Sequence, residues 1–249
     1  MNSCIEKFIS FDASKNAAYN RTLFQAFSFT SIKIMLLTTL YIIGITAEAM
    51  TGALAAGKRH MDWFGVMLVA SATAIGGGTV RDVLLGHYPL GWVANPQYLA
   101  ITCLAGLFTT MVAPQVVRFH KVFVLLDSLG LIVFSIIGCR VAMDMGLSPL
   151  ICLVAAVVTG VFGGLLRDMI CRRPPLVLQK EFYASVAFIA GGMYYGLLYL
   201  GVEETIVTIA TLVVGFAIRI AAVQFGWSLP VFRFEELETV KEKLDAPKS

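Results

Sequence analysis

Apolar residues run along this chain in seven long stretches separated by short polar segments. Each stretch is nearly free of charge, and each has about the twenty residues that a helix needs to cross a bilayer core of about 30 Å. We therefore predict seven transmembrane helices, since no alternating strand pattern competes with them. These spans, numbered one to seven, cover residues 34–57, 63–85, 98–117, 122–141, 147–170, 182–201 and 205–225.

Composition supports an all-α membrane protein. Hydrophobic residues make up 58% of the chain and charged residues 14%, whereas soluble domains carry about 25% charged residues. No basic run is interleaved with aromatic residues, so we expect no nucleic-acid partner. No nucleophile stands with a base at matched depth, and no metal-binding pattern occurs among the three histidines. We therefore expect no enzyme and no cofactor.

Basic residues in the connecting segments predict the orientation. The segments after spans one, three and five hold Lys58, Arg59, Arg118, Lys121, Arg172, Arg173 and Lys180. Those after spans two, four and six offer only Arg140, at a helix end. Because positive residues stay in the cytoplasm, we expect a cytoplasmic C-terminus and an external N-terminus, although four basic residues in residues 1–33 favour the reverse. A basic rim of this kind also suits anionic headgroups of membrane lipids.

An internal repeat has an offset of 86 residues. The segment GGTVRD at 77–82 aligns with GGLLRD at 163–168. Identical residues recur at the same offset in six further pairs: Gly44 with Gly130, Gly52 with Gly138, Thr73 with Thr159, Pro89 with Pro175, Leu90 with Leu176, and Gly106 with Gly192. Because each repeat has three spans, an odd number, the second repeat begins on the opposite side of the membrane from the first. The two halves are therefore predicted to be inverted about an axis in the membrane plane.

This repeat divides the chain into five parts. We expect an N-terminal extension with a candidate interfacial helix at 1–33, a first repeat at 34–118 and a second at 119–203. A seventh helix at 204–226 and a charged cytoplasmic tail at 227–249 complete the chain.

Glycines interrupt spans two and five. Each glycine disfavours helix by about 1 kcal/mol relative to alanine, so we predict kinks or breaks at Gly76, Gly77 and Gly78, and at Gly160, Gly163 and Gly164. A break frees carbonyl groups, and those of Gly76, Gly77 and Gly163 are candidate ligands of a monovalent cation. The alternative is that the glycines only allow close helix packing.

Charges inside the spans are the candidate pore and gate residues, because a charge in the hydrocarbon costs at least about 2.5–3.5 kcal/mol and needs a partner or water. They are Glu48, Arg81, Asp82, Asp127, Arg167 and Asp168. The alternative is that all are structural ion pairs that lock the bundle. That is the role we expect for Arg219 in span seven, which could join the same network. Neighbouring helix residues point about 100° apart, so we expect no good pair between Arg81 and Asp82. Asp127 and Glu48 are the expected partners of the arginines.

The duplicated motifs, in a plan of three, three and one helices, resemble the prokaryotic trimeric intracellular cation (TRIC) channels over about residues 33–226. The matching positions are Gly76, Gly77, Gly78, Arg81 and Asp82, then Gly163, Gly164, Arg167 and Asp168. The second repeat departs from the pattern because Phe162 stands where the first has Gly76. Span five is then either less broken, or its kink begins at Gly160.

The resemblance implies a homotrimer in a bacterial inner membrane, with a pore in each subunit lined mainly by spans one, two, four and five. It implies passage of monovalent cations, K+ above all, with K+ or Na+ as the permeant ion. Bacterial relatives are also described as transporters of small amino acids, in particular glycine. A secondary transporter is therefore the alternative function.

Overall fold

The structure is a computed structural model that describes residues 35–113, 119–178 and 182–227. Within these ranges the regular elements are all helical, with eight α-helices and one 3-10 turn at Leu176–Leu178. The helices are α1 Met35–Gly57, α2 Trp63–Leu85, α3 Gly91–Ala94, α4 Gln97–Val112, α5 Phe119–Asp144, α6 Pro149–Ile170, α7 Tyr183–Tyr199 and α8 Glu204–Phe225.

Each predicted span coincides with one of the long helices. Five of them, α1, α2, α5, α6 and α8, are long and apolar enough to cross a membrane. α4 and α7 are shorter, with 16 and 17 residues, so the count of seven crossings stays a prediction. The candidate interfacial helix in residues 1–33, and the tail beyond Trp227, lie outside the described residues.

Local signals set several helix boundaries. Asp62 caps the start of α2, where its Oδ1 accepts a hydrogen bond from the backbone N–H of Gly65 at 2.7 Å. Glu203 does the same for α8, accepting from Ile206 at 3.1 Å. α2 and α8 both end at a glycine in the left-handed conformation, Gly86 and Gly226. Glycine takes this conformation without steric cost, which explains the positions of these ends.

The repeat is present in three dimensions, in contacts that correspond one to one. A Cβ at Gly52 in α1 would meet Thr73 of α2, and a Cβ at Gly138 in α5 would meet Thr159 of α6. Both threonine hydroxyls donate to the carbonyl four residues back at 2.6 Å. α1 with α2, and α5 with α6, are therefore equivalent helix pairs.

The two repeats meet where α2 crosses α6. A Cβ at Gly77 would overlap the carbonyl oxygen of Thr159, and a Cβ at Gly163 would overlap that of Thr73. The two contacts exchange when α2 and α6 are exchanged, as a two-fold relation between the repeats requires. This crossing brings the two backbones together with no side chain between them.

The expected break at the glycines is not found. Helix is continuous through Gly76, Gly77 and Gly78 in α2, and through Gly160, Gly163 and Gly164 in α6. At Gly77 and Gly163 the physical reason is the close α2–α6 approach, which needs residues without a Cβ in a helical backbone. A bend of these helices without a break stays a prediction.

Candidate functional site

Arg167, near the end of α6, is the centre of a buried charge network. Its side chain is fully buried, and Nη1 lies 2.8 Å from Asp127 Oδ1 of α5. The same Nη1 donates to the hydroxyl of Thr51 in α1 at 3.1 Å, and that hydroxyl donates to Glu48 Oε2 at 3.0 Å. Glu48 Oε2 itself lies 4.0 Å from Nη1. Asp127 and Glu48 are thus partners of Arg167, as predicted, and they join the two repeats.

Arg219 of α8 belongs to the same network. Its Nη2 lies 4.0 Å from Asp127 Oδ2, and its guanidinium carbon lies 4.6 Å from the ring centroid of Tyr183. The Tyr183 hydroxyl donates to Asp127 Oδ1 at 3.3 Å. Asp127 therefore connects α5 with α6, α7 and α8 through one carboxylate.

The expectation that neighbouring Arg and Asp residues cannot pair is wrong. Arg81 donates from Nε and Nη2 to Asp82 Oδ1 at 2.9 and 2.7 Å. In the second repeat, Arg167 Nε donates to Asp168 Oδ1 at 3.0 Å. The 100° between adjacent Cβ directions does not prevent pairing, because the long arginine side chain folds back along the helix.

Each aspartate of these pairs also holds the segment that follows its helix. Asp82 Oδ2 accepts from the backbone N–H of Gly91 at 3.2 Å, and Asp168 Oδ2 accepts from that of Leu176 at 3.0 Å. Asp82 Oδ1 additionally lies 3.1 Å from His87 Nδ1. The two repeats therefore share a carboxylate that links an arginine to the next loop.

The two repeats differ in what surrounds their arginines. Arg167 has three carboxyl groups within 4.0 Å, whereas Arg81 forms its ion pair within the described residues with Asp82 alone. Glu48, Asp127 and Asp168 lie within 4.0 Å of Arg167, and Asp127 lies 4.0 Å from Arg219 as well. The buried network therefore holds three carboxyl groups and two guanidinium groups.

The opposite face of the bundle carries a second, partly exposed group of charges. Arg140, at the end of α5, lies 2.6 Å from Glu204 Oε1 and 2.9 Å from Asp144 Oδ2. The Tyr194 hydroxyl donates to the same Glu204 oxygen at 3.3 Å. A cavity of about 260 Å³, bordered by Tyr41, Arg140 and Asp144, opens beside this group.

Comparison with known proteins decides the family. A family model described as "Glycine transporter" matches residues 38–114 and 124–199, which cover both repeats. The chain is also 38% identical over 205 residues to the UPF0126 inner membrane protein YadS of Escherichia coli, covering 81% of this chain and 99% of the relative. The chain belongs to the TRIC/UPF0126 family.

Solved structures agree with this assignment. A TRIC trimeric intracellular cation channel orthologue from Rhodobacter sphaeroides superposes with a TM-score of 0.74 at 30% identity, covering 77% of this chain and 98% of that one. A second TRIC cation channel gives a TM-score of 0.72 at 31% identity, covering 80% and 98%. This chain therefore has the TRIC fold.

Sequence reasoning missed three members of the network in this TRIC family chain. They are Thr51, which bridges Arg167 and Glu48; Tyr183, which binds Asp127; and Phe123, whose ring centroid lies 4.7 Å from the Arg167 guanidinium carbon. Thr51 could have been predicted as a neighbour of Glu48, since it lies three residues after Glu48 and so on the same helix face. Nothing in the sequence indicated Tyr183 or Phe123, because aromatic residues near span ends are common interfacial anchors.

Proposed function

We propose that this chain forms a passive channel for monovalent cations, K+ above all, with a permeation path inside each subunit. The observation that carries the proposal is the cluster of three carboxyl groups, those of Glu48, Asp127 and Asp168, that lies within 4.0 Å of the buried Arg167 side chain. In a medium of low dielectric constant, carboxyl oxygens attract cations and disfavour anions. The relatedness to TRIC cation channels at about 30% identity supports the same function.

The proposed path runs beside α1, α2, α5 and α6, where the two repeats meet. Glu48, Asp127 and Asp168 supply the carboxyl oxygens. The α2–α6 crossing at Gly77 and Gly163 is closed in this structure, so permeation requires the two helices to separate there. In this proposal the carbonyls of Gly76, Gly77 and Gly163 become cation ligands only in the open state.

Arg81 and Arg167 are the proposed gate residues, one toward each face of the membrane. Each is held by the aspartate that follows it, so releasing that pair would free a positive charge to move into or out of the path. If neutral substitution of both arginines left conductance and voltage response unchanged in a folded protein, their role would be structural alone.

Assembly and placement follow from the relatives. We propose a homotrimer in a bacterial inner membrane, because the solved orthologue is named a trimeric channel and the Escherichia coli relative an inner membrane protein. The basic segments after α1 and α6 predict a cytoplasmic C-terminus. Light scattering in mild detergent tests the trimer, and a monomeric mass would contradict it.

A second candidate is a secondary transporter of glycine or another small amino acid. The description of the matching family model favours it. A transporter binds substrate in a closed site and saturates, whereas a channel conducts along the gradient without saturable uptake of an amino acid.

Proteoliposomes containing the full chain separate the two functions. We expect K+ efflux down its gradient and no saturable glycine uptake. Asp127→Asn should reduce cation-over-anion selectivity about tenfold, the effect of one charge about 10 Å away at an effective dielectric constant of about 20. Asp144→Asn is the matched control, because Asp144 is 57% exposed and pairs with Arg140 outside the network. Saturable glycine uptake without K+ flux would favour the transporter.

A further inference from the structure

Two segments that lie far apart in sequence meet where α1 and α6 end. Arg59 Nη2 donates to the backbone carbonyl of Arg172 at 2.7 Å, across 113 residues. We call residues 58–62 and 171–175 together the basic loop pair. Its cationic side chains are Lys58, Arg59, Arg172 and Arg173, of which the first three are exposed.

The acidic residues next to the basic loop pair are already engaged. Asp62 caps α2 through the Gly65 N–H at 2.7 Å. Asp168 is buried and accepts from Arg167 and from the Leu176 N–H, both at 3.0 Å. Partial desolvation and the neighbouring charge of Arg173 lower the pKa of Lys58. Positive charge is therefore concentrated in residues 58–62 and 171–175, where the one acidic side chain, that of Asp62, serves as a helix cap.

The backbone of the basic loop pair is strained at two positions. His60 and Arg172, with φ of 53° and 48°, are the non-glycine residues with positive φ in the described part of the chain. Their counterparts in the other repeat, 86 residues away, are Gly146 and Gly86, with φ of 70° and 68°. The same left-handed turns thus occur at both ends of the bundle. At the end that carries the basic loop pair, the turn residues have side chains and meet a steric penalty that glycine avoids.

Neither folding nor orientation requires those two side chains. Glycine makes the turn on the opposite face, and orientation depends on the number of positive residues near the helix ends, which Lys58, Arg59 and Arg173 already supply. Residues kept in a strained conformation point to a functional constraint. Here the constraint is a guanidinium and an imidazole fixed beside three further cations.

We propose that the basic loop pair binds a phosphate group, presented by an anionic phospholipid headgroup or by a soluble phosphate. Arginine binds phosphate oxygens through two parallel hydrogen bonds, and lysine adds a point charge. His60 provides a further ring nitrogen. The site lies at the end of two helices of the bundle, at the level where headgroups meet water, and it does not depend on the permeation proposal.

Thermal unfolding of the full-length protein in mild detergent tests the site. The probes are phosphatidylglycerol, phosphatidylcholine and inorganic phosphate, each titrated separately. We expect phosphatidylglycerol to raise the unfolding midpoint saturably and phosphatidylcholine to leave it unchanged. An effect of phosphatidylglycerol alone supports the proposal with a lipid as the source, and an equal effect of inorganic phosphate supports it with a soluble source.

The variants decide whether the loop pair is responsible. Arg172→Gly combined with Arg173→Gln should weaken phosphatidylglycerol binding at least tenfold. This double substitution should not lower the unfolding midpoint in the absence of ligand, because the counterpart of Arg172 in the other repeat is a glycine, Gly86. Lys121→Gln removes an exposed positive charge near the start of α5 and is the control. An equal loss of binding in Lys121→Gln, or no difference between the two lipids and no effect of phosphate, would overturn the proposal.

Discussion

Gly77 of α2 lies directly against the carbonyl oxygen of Thr159 in α6, with no room for a Cβ. The relation is reciprocal, because Gly163 of α6 lies in the same way against the carbonyl of Thr73 in α2. Gly77 and Gly163, both predicted to break their helices, thus serve the contact between the two repeats. They also close the space between α2 and α6.

A methyl group at this crossing should force α2 and α6 apart. We expect Gly77→Ala to lower the free energy of unfolding by about 1–3 kcal/mol, the usual cost of overpacking a close contact. Gly196→Ala in α7 is the control, since a Cβ there meets nothing within 4 Å. Thermal unfolding in detergent measures both. Equal midpoints for the two variants would contradict the packing role of Gly77.

Loss of the Arg167 charge should leave buried carboxylates uncompensated. We expect Arg167→Gln to destabilise the protein by about 3–5 kcal/mol, the usual cost of breaking a buried ion pair by removing one partner. Arg140→Gln should cost less than about 1 kcal/mol, because its pair is partly exposed and screened by water, with 31% of the Arg140 side chain accessible. If both variants unfolded at the same midpoint, the Arg167 network would not be a centre of stability.

Asp82 should hold the loop that follows α2. Replacing Asp82 by alanine removes the acceptor of the Gly91 N–H, and we expect amide exchange at Gly91 to accelerate about 10- to 100-fold, as for the loss of a hydrogen bond to a charged group. Hydrogen exchange with mass spectrometry measures this. Asp144→Ala, at the end of α5, is the control and should leave amide exchange at Gly91 unchanged. A similar acceleration at Gly91 in the control would contradict the role of Asp82 in holding this loop.

Long-range features of the fold were readable from the sequence because they repeat. The offset of 86 residues predicted equivalent helix pairs, and the paired contacts of Gly52 with Thr73 and Gly138 with Thr159 agree with it. The partners of Arg167 were predictable as well, since a buried arginine requires carboxylates and few are available in the spans. Scarcity of charge made these partners identifiable.

Local geometry was harder to predict, for two physical reasons. The angle between neighbouring helix residues predicted no pair between Arg81 and Asp82. The arginine side chain is long enough to fold back along the helix and reach Asp82. Glycine has two opposite uses in a membrane helix, breaking it or allowing close contact, and only the neighbouring helix decides between them. At Gly77 that neighbour is Thr159, 82 residues away in a different repeat.

Backbone strain at His60 should lower the free energy of unfolding by a measurable amount. We expect His60→Gly to raise the free energy of unfolding by about 0.5–1 kcal/mol, because relief of the left-handed conformation outweighs the entropy cost of glycine. His60→Ala removes the imidazole but keeps a Cβ, so it should bring no such gain. Chemical or thermal unfolding in detergent separates the two, and the same change in both variants would mean that the backbone at 60 is unstrained.

Selective passage of monovalent cations is tested most directly by recording from the purified protein in planar bilayers. With unequal KCl on the two sides, the current should reverse near the K+ equilibrium potential. A reversal potential at zero or at the Cl− equilibrium potential would contradict cation selectivity. The absence of current from protein that takes up glycine saturably in liposomes would contradict a channel.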